Sequence, residues 1–463
     1  MRQRVEVNLK RRLNMSAKKV FIKTFGCQMN VYDSERILES LSSLGFEETS
    51  QISCADLVVL NTCNIREKAA EKVYSELGRI RRMCEDSAHR DQKKTVVVAG
   101  CVAQAESYEI INRASVVDII VGPQSYHMLP EMIKDTERHG HKLIDVNFNH
   151  QQKFNTLPQR NTKNNRATAF LTVQEGCDKC CTFCVVPYTR GAEYSRPVEQ
   201  ILNEAIALIS RGAFEITLLG QNVNAYRGKG PDGRMWSLSK LINTLSELDG
   251  IKRLRYTTSH PCDIDEELIE CHNYNSKLMP HLHLPFQAGS NRILAAMNRK
   301  HTSEEYLRIV DSIRLTKADI ALSTDIIVGF PGETVAEFDK TLRVVEEVGF
   351  AQAFSFKYSP RPGTPAAAIK NHISEAEKAS RLNALQSLIK EQQLRFNISC
   401  INKTLPVLFD RHGRNSGQLL GRSPYLQPVH AIIPYKMLGQ IVPVKIISAK
   451  TNSLFGILQG SQL

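Results

Sequence analysis

Short runs of β-branched residues alternate with helical patterns along most of the chain, and this alternation restricts the fold more than any other feature of the sequence. Between residues 19 and 100 the runs are VFIKTFG, DLVVLNT and TVVVAG, with helical patterns near 34–44 and 66–83 between them. Strands that alternate with helices are typical of a parallel sheet covered by helices. The sequence therefore predicts an N-terminal parallel α/β domain over residues 18–149.

Residues 167–397 repeat a strand followed by a helix six times. The predicted strands are AFLTVQ, EITLLGQ, LRYTTS, LHLPFQ, LSTDIIVG and AFSFKYS, and the predicted helices lie near 198–210, 238–248, 265–274, 291–297, 303–316 and 335–348. Six such units predict an incomplete (β/α)6 barrel. In barrels of this kind the chemistry gathers at the carboxyl ends of the strands.

Three further segments complete the predicted domain organisation. Residues 150–166 are rich in Gln, Asn, Lys and Arg, which predicts a linker. Residues 398–463 contain short strands and turns such as RHGRNSG, which predict a small C-terminal β-barrel. Residues 1–17 predict a basic tail without the apolar segment of a secretory signal, although a transit peptide and a start at Met15 both remain open. The longest apolar run, Thr95 to Ala103, is too short to cross a bilayer.

The charge distribution favours a polyanionic partner. The net charge is +12, and residues 398–463 contain seven Lys or Arg but one acid, Asp410, so this segment alone carries +6. A basic, acid-poor terminal module is typical of nucleic-acid binding. We expect Arg411, Arg414 and Arg422 to contact phosphates, against the alternative that they are solvated loop charges. Removal of the chain after about Ile398 is then expected to weaken nucleic-acid binding and to spare the chemistry of the barrel.

The densest cysteine cluster is Cys177-x3-Cys181-x2-Cys184, directly after the first predicted barrel strand. The twelve cysteines form no regular extracellular framework, so their grouping indicates metal binding in a reducing cytoplasm. Three close thiolates suit an iron-sulfur cluster that keeps one iron open for chemistry. A zinc site would need a fourth ligand at matching spacing, and a ferredoxin run would need cysteine in place of Phe183. A triplet with Cys180 as its middle member is an alternative that the residues alone leave open.

A second set of cysteines is spread along the N-terminal domain. Cys27, Cys63 and Cys101 each follow directly on a predicted strand, in FGC, NTC and AGC. If those strands are parallel neighbours, their carboxyl ends meet at one edge of the sheet and the three thiols converge there. Gly26 and Gly100 would let the backbone turn tightly beside a metal. The alternative is that these are ordinary buried thiols, which are common in strands. Other cysteines and several histidines show no such placement, and no role is assigned to Cys54, Cys84, Cys262, Cys271, Cys400, His260, His281 or His283.

Motifs spread over almost the whole chain carry a resemblance to a known family. They are TFGCQMN, NTCNIREKA, AGCVAQ, EGCDKCCTFCVVPYTRG, LLGQNVNAY, LPFQAGS, DIIVGFPGET and YSPRPGTPA. With these motifs the chain resembles the tRNA methylthiotransferase family of the radical S-adenosylmethionine superfamily. The resemblance implies an N-terminal methylthiotransferase domain, a radical barrel and a C-terminal TRAM domain that holds RNA. The chain departs from the family pattern at Cys180, where an aromatic is usual, and at Ala288, where serine is usual.

The resemblance also implies the cofactors and their ligands. One 4Fe-4S cluster would lie on Cys177, Cys181 and Cys184, and its open iron would bind S-adenosylmethionine, which is cleaved to a 5′-deoxyadenosyl radical. A second 4Fe-4S cluster, which holds the sulfur to be transferred, would lie on Cys27, Cys63 and Cys101. Radical barrels hold S-adenosylmethionine at strand ends, where the expected contacts are Gly220, Gln221, Ser259, Asp325, Ile327 and Gly329.

The motifs GCQMN, REKA and VVPYTRG resemble the branch of the family that acts on N6-isopentenyladenosine. The implied reaction is methylthiolation of C2 of that base at position 37 of tRNA, beside the anticodon. The hydrogen on C2 is unactivated, so its replacement requires a radical rather than an acid or base. We expect a cytoplasmic monomer that requires a reductant for its cluster and makes no membrane contact.

Two other functions remain open at the level of sequence. A methylthiotransferase that acts on threonylcarbamoyl-adenosine or on a ribosomal-protein aspartate would carry a first motif resembling GCKVN or GCPKN instead of GCQMN. A non-catalytic iron-sulfur or zinc protein that binds RNA would account for the basic C-terminal segment and the cysteines. It would not explain the function of the six-unit barrel. Binding of S-adenosylmethionine distinguishes this second class from the enzymes.

Overall fold

The chain divides into two units of tertiary structure in the computed structural model, which describes residues 17–64, 67–85, 94–160 and 166–460. Of these residues, the first unit contains those up to 160 together with Tyr188–Arg190, and the second contains 166–187 and 191–460. Almost all of the predicted basic tail, residues 1–16, lies outside the described part of the chain.

The first unit is built on a six-stranded parallel sheet in the order β2-β1-β3-β4-β5-β6. The strands are β1 (Lys18–Phe25), β2 (Phe46–Glu48), β3 (Leu57–Thr62), β4 (Thr95–Gly100), β5 (Ile119–Val121) and β6 (Leu143–Asp145). The helices are α1 (Gln28–Ser42), α2 (Glu67–Glu85), α3 (Cys101–Glu106), α4 (Tyr108–Arg113), α5 (Leu129–His139) and α6 (His150–Thr156). The predicted parallel α/β fold is confirmed.

Both faces of this sheet are buried. Val59 packs with Ile37 of α1 on one face, whereas Val58 packs with Leu77 of α2 on the other. All six residues of β3 are buried as a result. A strand covered on both faces carries a continuous apolar run instead of an alternating pattern. The sequence of these strands shows such continuous runs.

Residues 150–160 differ from the predicted linker over 150–166, because they pack on the first unit. Lys153 of α6 is fully buried, with its ammonium group 4.5 Å from the ring centre of Tyr126. Arg160 is also buried and lies 3.3 Å from the carboxylate of Glu39. The polar composition suggested exposure, but a ring face and a carboxylate compensate these buried charges. Residues 161–165 lie outside the described part of the chain.

The second unit begins with the six predicted barrel strands. They are β7 (Thr168–Thr172), β10 (Glu215–Leu219), β13 (Arg253–Tyr256), β14 (His281–His283), β15 (Ala321–Val328) and β16 (Gln352–Lys357). Two short antiparallel pairs lie between them in the sequence: β8 (Gln174–Glu175) pairs with β9 (Tyr194–Ser195), and β11 (Gly228–Lys229) pairs with β12 (Met235–Trp236). They form two parallel sheets, β13-β10-β7 and β14-β15-β16, joined by a parallel bridge between Leu254 and Leu278. The helices that alternate with them are α7 (Val186–Arg190), α8 (Val198–Ile209), α9 (Leu238–Glu247), α10 (Glu266–Tyr274), α11 (Asn291–Ala296), α12 (Ser303–Thr316) and α13 (Val335–Val348). The predicted incomplete barrel is confirmed.

A long helix, α14 (Glu375–Ile398), leads into a closed barrel of five strands. These strands are β17 (Thr404–His412), β18 (Gln418–Arg422), β19 (Pro428–Ile432), β20 (Ile441–Lys450) and β21 (Ser453–Leu458), in the order β17-β18-β19-β21-β20. The predicted small β-barrel is confirmed, and its closure leaves no strand edge unpaired within this barrel. Within the described residues, no helix is both long enough and apolar enough to span a bilayer.

A buried charge cluster joins the two barrels of the second unit. Arg253 and Arg255 of β13 pair with Glu215 of β10, at 3.4 and 3.2 Å respectively. Arg255 also donates to the carbonyl oxygens of Ser423 at 2.9 Å and Pro424 at 2.8 Å, in the loop after β18. Glu215 and Arg253 are the first residues of their strands. The C-terminal barrel therefore contacts the amino ends of β10 and β13, opposite the ends where barrel chemistry gathers.

Two candidate metal centres

Cys27, Cys63 and Cys101, which we call the N-terminal trio, converge at one edge of the first sheet. β1, β3 and β4 are adjacent, with residues 25, 62 and 100 paired across the three strands, so the strands end at the same level. The side chain of Cys63 hydrogen-bonds to those of both Cys27 and Cys101. The structure thus brings together three thiols that are far apart in the sequence.

Two glycines allow the strands to end this close together. Gly26 has a φ of +128°, and a Cβ atom there would lie 2.3 Å from the Cβ of Cys63. Gly100 has a φ of +90°, and a Cβ atom there would lie 2.4 Å from Oδ1 of Asn61 and 2.5 Å from the carbonyl oxygen of Thr62. Any larger residue would be strained in this backbone conformation and would displace its neighbours.

The surroundings of the N-terminal trio favour thiolates at two of its three cysteines. Hydrogen bonding to Cys63 lowers the pKa of Cys27 to about 6 and that of Cys101 to about 7, and the charge of Arg190 contributes to both decreases. Cys27 is also the N-cap residue of α1, where the backbone N–H groups of the first turn stabilise negative charge. Cys63 shows the opposite change, because the hydrogen bonds to its two neighbours and its burial raise its pKa.

A buried amide network fixes the edge that carries the N-terminal trio. Asn61 of β3 donates to the carbonyl oxygen of Asn30 and to Oγ of Ser34, each at 2.9 Å. Asn30 donates in turn to Oδ1 of Asn61 at 3.2 Å, and its own Oδ1 accepts from Sγ of Cys27 at 3.3 Å. Sequence reasoning missed both asparagines, although they stand inside the motifs TFGCQMN and NTCNIREKA.

Cys177, Cys181 and Cys184, which we call the barrel trio, lie on the loop between β8 and α7. The other two thiols act electrostatically on Cys184, so the structure brings the three together. The loop is held by hydrogen bonds from the N–H of Cys184 to the carbonyl oxygen of Cys181 at 3.0 Å and from Thr182 N–H to Met297 at 3.1 Å. Burial raises the pKa of Cys177 to about 11 and that of Cys184 to about 12. Binding of a metal here would therefore release protons.

The two cysteines in the middle of this loop have different surroundings. Cys180 has a φ of +49° and is exposed, and its carbonyl oxygen accepts a hydrogen bond from Nδ2 of Asn298 at 2.9 Å. Cys181 is buried, and Nη1 of Arg299 lies 3.6 Å from its Sγ. The loop geometry therefore favours Cys181 over Cys180 as the middle ligand.

The predicted S-adenosylmethionine contacts lie at the carboxyl ends of three barrel strands. Gly220 and Gln221 follow β10, Ser259 follows β13, and Asp325, Ile327 and Gly329 lie in or directly after β15. Ser259 is buried, and its Oγ has no hydrogen-bond partner among the described residues. Such an orphaned hydroxyl fits a site that is completed by a polar ligand.

The other predicted contacts have partners within the barrel. Oε1 of Gln221 accepts from the N–H of Gly176 at 2.6 Å, so this side chain holds the start of the cysteine loop. Oδ2 of Asp325 lies 3.3 Å from Nε2 of His283. Gly329 has a φ of +71°, and a Cβ atom there would lie 2.4 Å from Cγ of Lys378.

A third group of ligand type, His260, Cys262 and His301, was assigned no role from the sequence. Its ligand atoms lie within 4.8 Å of one another. Burial lowers the pKa of His260 to about 2 and that of His301 to about 4, and the charge of Arg299 contributes to both decreases. The charges of Arg299 and Lys179 would also oppose a bound cation, so we assign no metal to this group.

The predicted RNA contacts differ in exposure. Arg414 lies exposed in the turn after β17. Arg411 is exposed as well, but its guanidinium pairs with Asp410 at 2.9 Å. Arg422 is half-buried, its Nη1 donates to the carbonyl oxygen of Leu426 at 3.3 Å, and burial lowers its pKa. Arg414 is therefore the most accessible of the three to a phosphate.

Three family profiles match successive parts of the chain. The uncharacterized protein family UPF0004 matches residues 19–122, the radical SAM superfamily matches residues 171–345, and the TRAM domain matches residues 399–458. These ranges fall on the parallel sheet, the six-stranded barrel and the closed β-barrel respectively.

A relative from Maricaulis maris (strain MCS10), a tRNA-2-methylthio-N6-dimethylallyladenosine synthase, is 54% identical over 454 residues, which are 97% of this chain and 99% of the relative. The chain belongs to the tRNA-2-methylthio-N6-dimethylallyladenosine synthase family. This match confirms the resemblance drawn from the motifs.

Solved structures agree with the fold of this synthase family member. TsrM from Kitasatospora setae, a radical S-adenosylmethionine methyltransferase with cobalamin and a [4Fe-4S] cluster bound, has a TM-score of 0.57 at 13% identity, over 76% of this chain and 77% of that one. The cobalamin-dependent radical enzyme OxsB has a TM-score of 0.52 at 14% identity, over 83% of this chain and 57% of that one. At these identities the likeness shows the fold alone.

Proposed function

We propose that this chain methylthiolates C2 of N6-isopentenyladenosine at position 37 of tRNA by radical S-adenosylmethionine chemistry. The observation that carries the proposal is that two separate cysteine trios converge, one in each unit, in a chain that aligns over almost its full length with a synthase of this kind. One trio is sufficient for generation of a radical, whereas transfer of sulfur requires a second centre.

Each trio would hold a 4Fe-4S cluster with one iron left open. Three convergent thiols fit such a cluster, because thiolate is its usual ligand. The barrel trio, with Cys181 as its middle member, would bind the cluster that works with S-adenosylmethionine, and the N-terminal trio would bind the cluster that holds the sulfur. When bound, the barrel cluster and S-adenosylmethionine supply a radical able to take hydrogen from an unactivated carbon.

Residues at the barrel rim would orient S-adenosylmethionine. The buried hydroxyl of Ser259, which has no hydrogen-bond partner within the described parts of the chain, would form a hydrogen bond with it. Asp325 would offer a carboxylate, which His283 already orients. Gln221 would act indirectly by holding the cysteine loop at Gly176. Gly220, Ile327 and Gly329 would supply the close-packed surface of the same rim.

The remaining partners follow from this chemistry. The substrate would be tRNA that already contains N6-isopentenyladenosine, held in part by Arg411, Arg414 and Arg422 of the basic C-terminal segment. A reductant would supply the electron for the barrel cluster. We expect the enzyme to act as a monomer, in the cytoplasm where its substrate tRNA is found.

Mass spectrometry of tRNA nucleosides from cells with and without the gene tests the proposal. We expect 2-methylthio-N6-isopentenyladenosine to disappear in the deletion strain, with N6-isopentenyladenosine accumulating in its place. An unchanged nucleoside profile would refute the proposal. Loss of a methylthio group from threonylcarbamoyl-adenosine or from a ribosomal protein would instead identify one of the related activities.

A further inference from the structure

We propose that Arg190 is a positioning residue for the N-terminal cluster, where its guanidinium hydrogen-bonds to the cluster sulfurs and balances their negative charge. This inference rests on the proposed function, which assigns an iron-sulfur cluster to the N-terminal trio. Arg190 belongs to the motif VVPYTRG, to which no chemical role has been assigned so far. In the sequence it lies six residues after Cys184 of the other centre.

Arg190 is held rigidly inside the first unit. It is the last residue of α7 and is only 2% exposed. Its Nη2 donates to Oδ2 of Asp33 at 2.7 Å, and both side chains of this pair are buried. Its carbonyl oxygen accepts a hydrogen bond from Nε2 of Gln124 at 3.2 Å. A long side chain fixed at both ends can present a donor at a defined position with little loss of entropy on binding.

The fixed guanidinium reaches the N-terminal trio. Gln124, which holds the carbonyl oxygen of Arg190, follows β5 at the carboxyl edge of the sheet, and Cys101 follows the neighbouring strand β4 at the same edge. The guanidinium also hydrogen-bonds to Cys101, and its charge acts on both Cys101 and Cys27. Arginine has five N–H donors in a planar arrangement, so one guanidinium can bind both the carboxylate of Asp33 and a sulfur atom. Hydrogen bonds to thiolate and sulfide atoms are one of the main determinants of the reduction potential of an iron-sulfur cluster.

Arg190 contributes a positive charge next to the trio. Asp33 holds this guanidinium at 2.7 Å, and Lys153 lies 3.9 Å from the other oxygen of the same carboxylate. An isolated buried charge is costly unless an opposite charge compensates it. A cluster on three thiolates is an anion, and it becomes more negative when it is reduced. The positive charge of Arg190 therefore compensates a bound cluster and favours its reduced form.

The experiment measures the potential of the N-terminal cluster directly. The full-length chain is reconstituted with iron and sulfide in a background in which the barrel trio is replaced by alanine, so that the remaining cluster gives the signal. The potential and the g-values are then followed by a redox titration monitored by electron paramagnetic resonance. We expect Arg190→Gln to retain iron but to shift the potential to more negative values, and Arg190→Lys to give a smaller shift with altered g-values.

Arg160→Gln is the matched control, since Arg160 is equally buried in the same unit and is paired with Glu39. It should lower stability without a change in potential or g-values. Unchanged values in Arg190→Gln, or a shift of equal size in Arg160→Gln, would overturn the inference. If Arg190→Gln binds no iron, Arg190→Lys decides, and values identical to those of the parent would again overturn it. A parent chain that binds no iron would refute the cluster assignment in the proposed function instead.

Discussion

Replacement of Gly26 should remove the N-terminal cluster and leave the barrel cluster in place, although no ligand is changed. In Gly26→Ala the new Cβ atom would lie 2.3 Å from Cβ of Cys63 and 2.9 Å from Oδ1 of Asn30. Non-bonded carbon atoms prefer a separation of roughly 3.5–4 Å, so Cys63 or the strand end must move by more than about 1 Å. Metal–ligand distances tolerate deviations of only about 0.2 Å. We therefore expect the N-terminal trio to lose its cluster.

The backbone conformation at position 26 adds a second free-energy cost, for which a range can be given. Gly26 has a φ of +128°, and an alanine held in such a sparsely populated region costs about 1–3 kcal/mol. Gly45→Ala separates this cost from the contact with Cys63, because Gly45 lies in the same unit with a φ of +80°, and a Cβ atom there would have no described atom within 4 Å. Both variants should lower the free energy of unfolding, but only Gly26→Ala should disturb the trio.

The assay compares iron content and two activities in the same samples. Gly26→Ala should fall from about eight to about four iron atoms per chain, on the basis of two four-iron clusters. It should still cleave S-adenosylmethionine to 5′-deoxyadenosine but form no methylthiolated nucleoside. Gly45→Ala should retain all three properties. A Gly26→Ala enzyme with full iron and normal methylthiolation would refute the reasoning, as would an equal loss of iron in Gly45→Ala.

Four further outcomes are expected. Alanine at any position of the N-terminal trio should stop methylthiolation but not 5′-deoxyadenosine formation. Alanine at any position of the barrel trio should stop both reactions, and Cys180→Ala should stop neither. Chromatography of the products measures both reactions. In the cluster-free protein, alkylation of Cys27 by iodoacetamide should increase between about pH 5 and 7 and then level off. Only the thiolate reacts, and hydrogen bonding to Cys63 lowers the pKa of Cys27 to about 6. Peptide mass spectrometry should show that Cys184 is unreactive over the same pH range, because burial raises its pKa. Glu215→Gln should lower the free energy of unfolding by about 3 kcal/mol in denaturant titrations, because it leaves two buried arginines without their carboxylate. Arg414→Ala should weaken tRNA binding and reduce the slope of log affinity against log salt by about 1 if it contacts a phosphate.

The fold could be predicted from the sequence because its elements have strong local signals. The helices Ser303–Thr316 and Val335–Val348 were predicted with the bounds that the structure shows, and each begins with a capping box at the preceding threonine. The segment at 150–160 could not be predicted in the same way. Its burial depends on partners such as Tyr126 and Glu39, which local composition does not reveal.

The candidate centres were predictable only in part, for a related physical reason. Topology alone explains why Cys27, Cys63 and Cys101 meet, since parallel strands end at a common edge. The groups that orient them come from more distant parts of the chain, as Arg190 does, which pairs with a residue 157 positions away. Periodicity and spacing do not reveal contacts of this kind.

The C-terminal barrel is basic, but its removal would also disturb the rest of the second unit. Its charge predicted that removal after about Ile398 would weaken RNA binding and spare the rest of the enzyme. In the structure, Arg253 and Arg255 are buried at the amino ends of the barrel strands and donate to carbonyl oxygens of the C-terminal barrel. Truncation would expose both guanidiniums to water and break these hydrogen bonds, so the loss of activity would mix instability with weaker RNA binding. Substitution of Arg414, which lies exposed and away from this charge cluster in the chain, changes the charge of the module while the buried contacts stay in place. The contribution of the C-terminal barrel to tRNA binding is therefore measured by such substitutions, with Glu215→Gln as the variant that reports on the buried contacts alone.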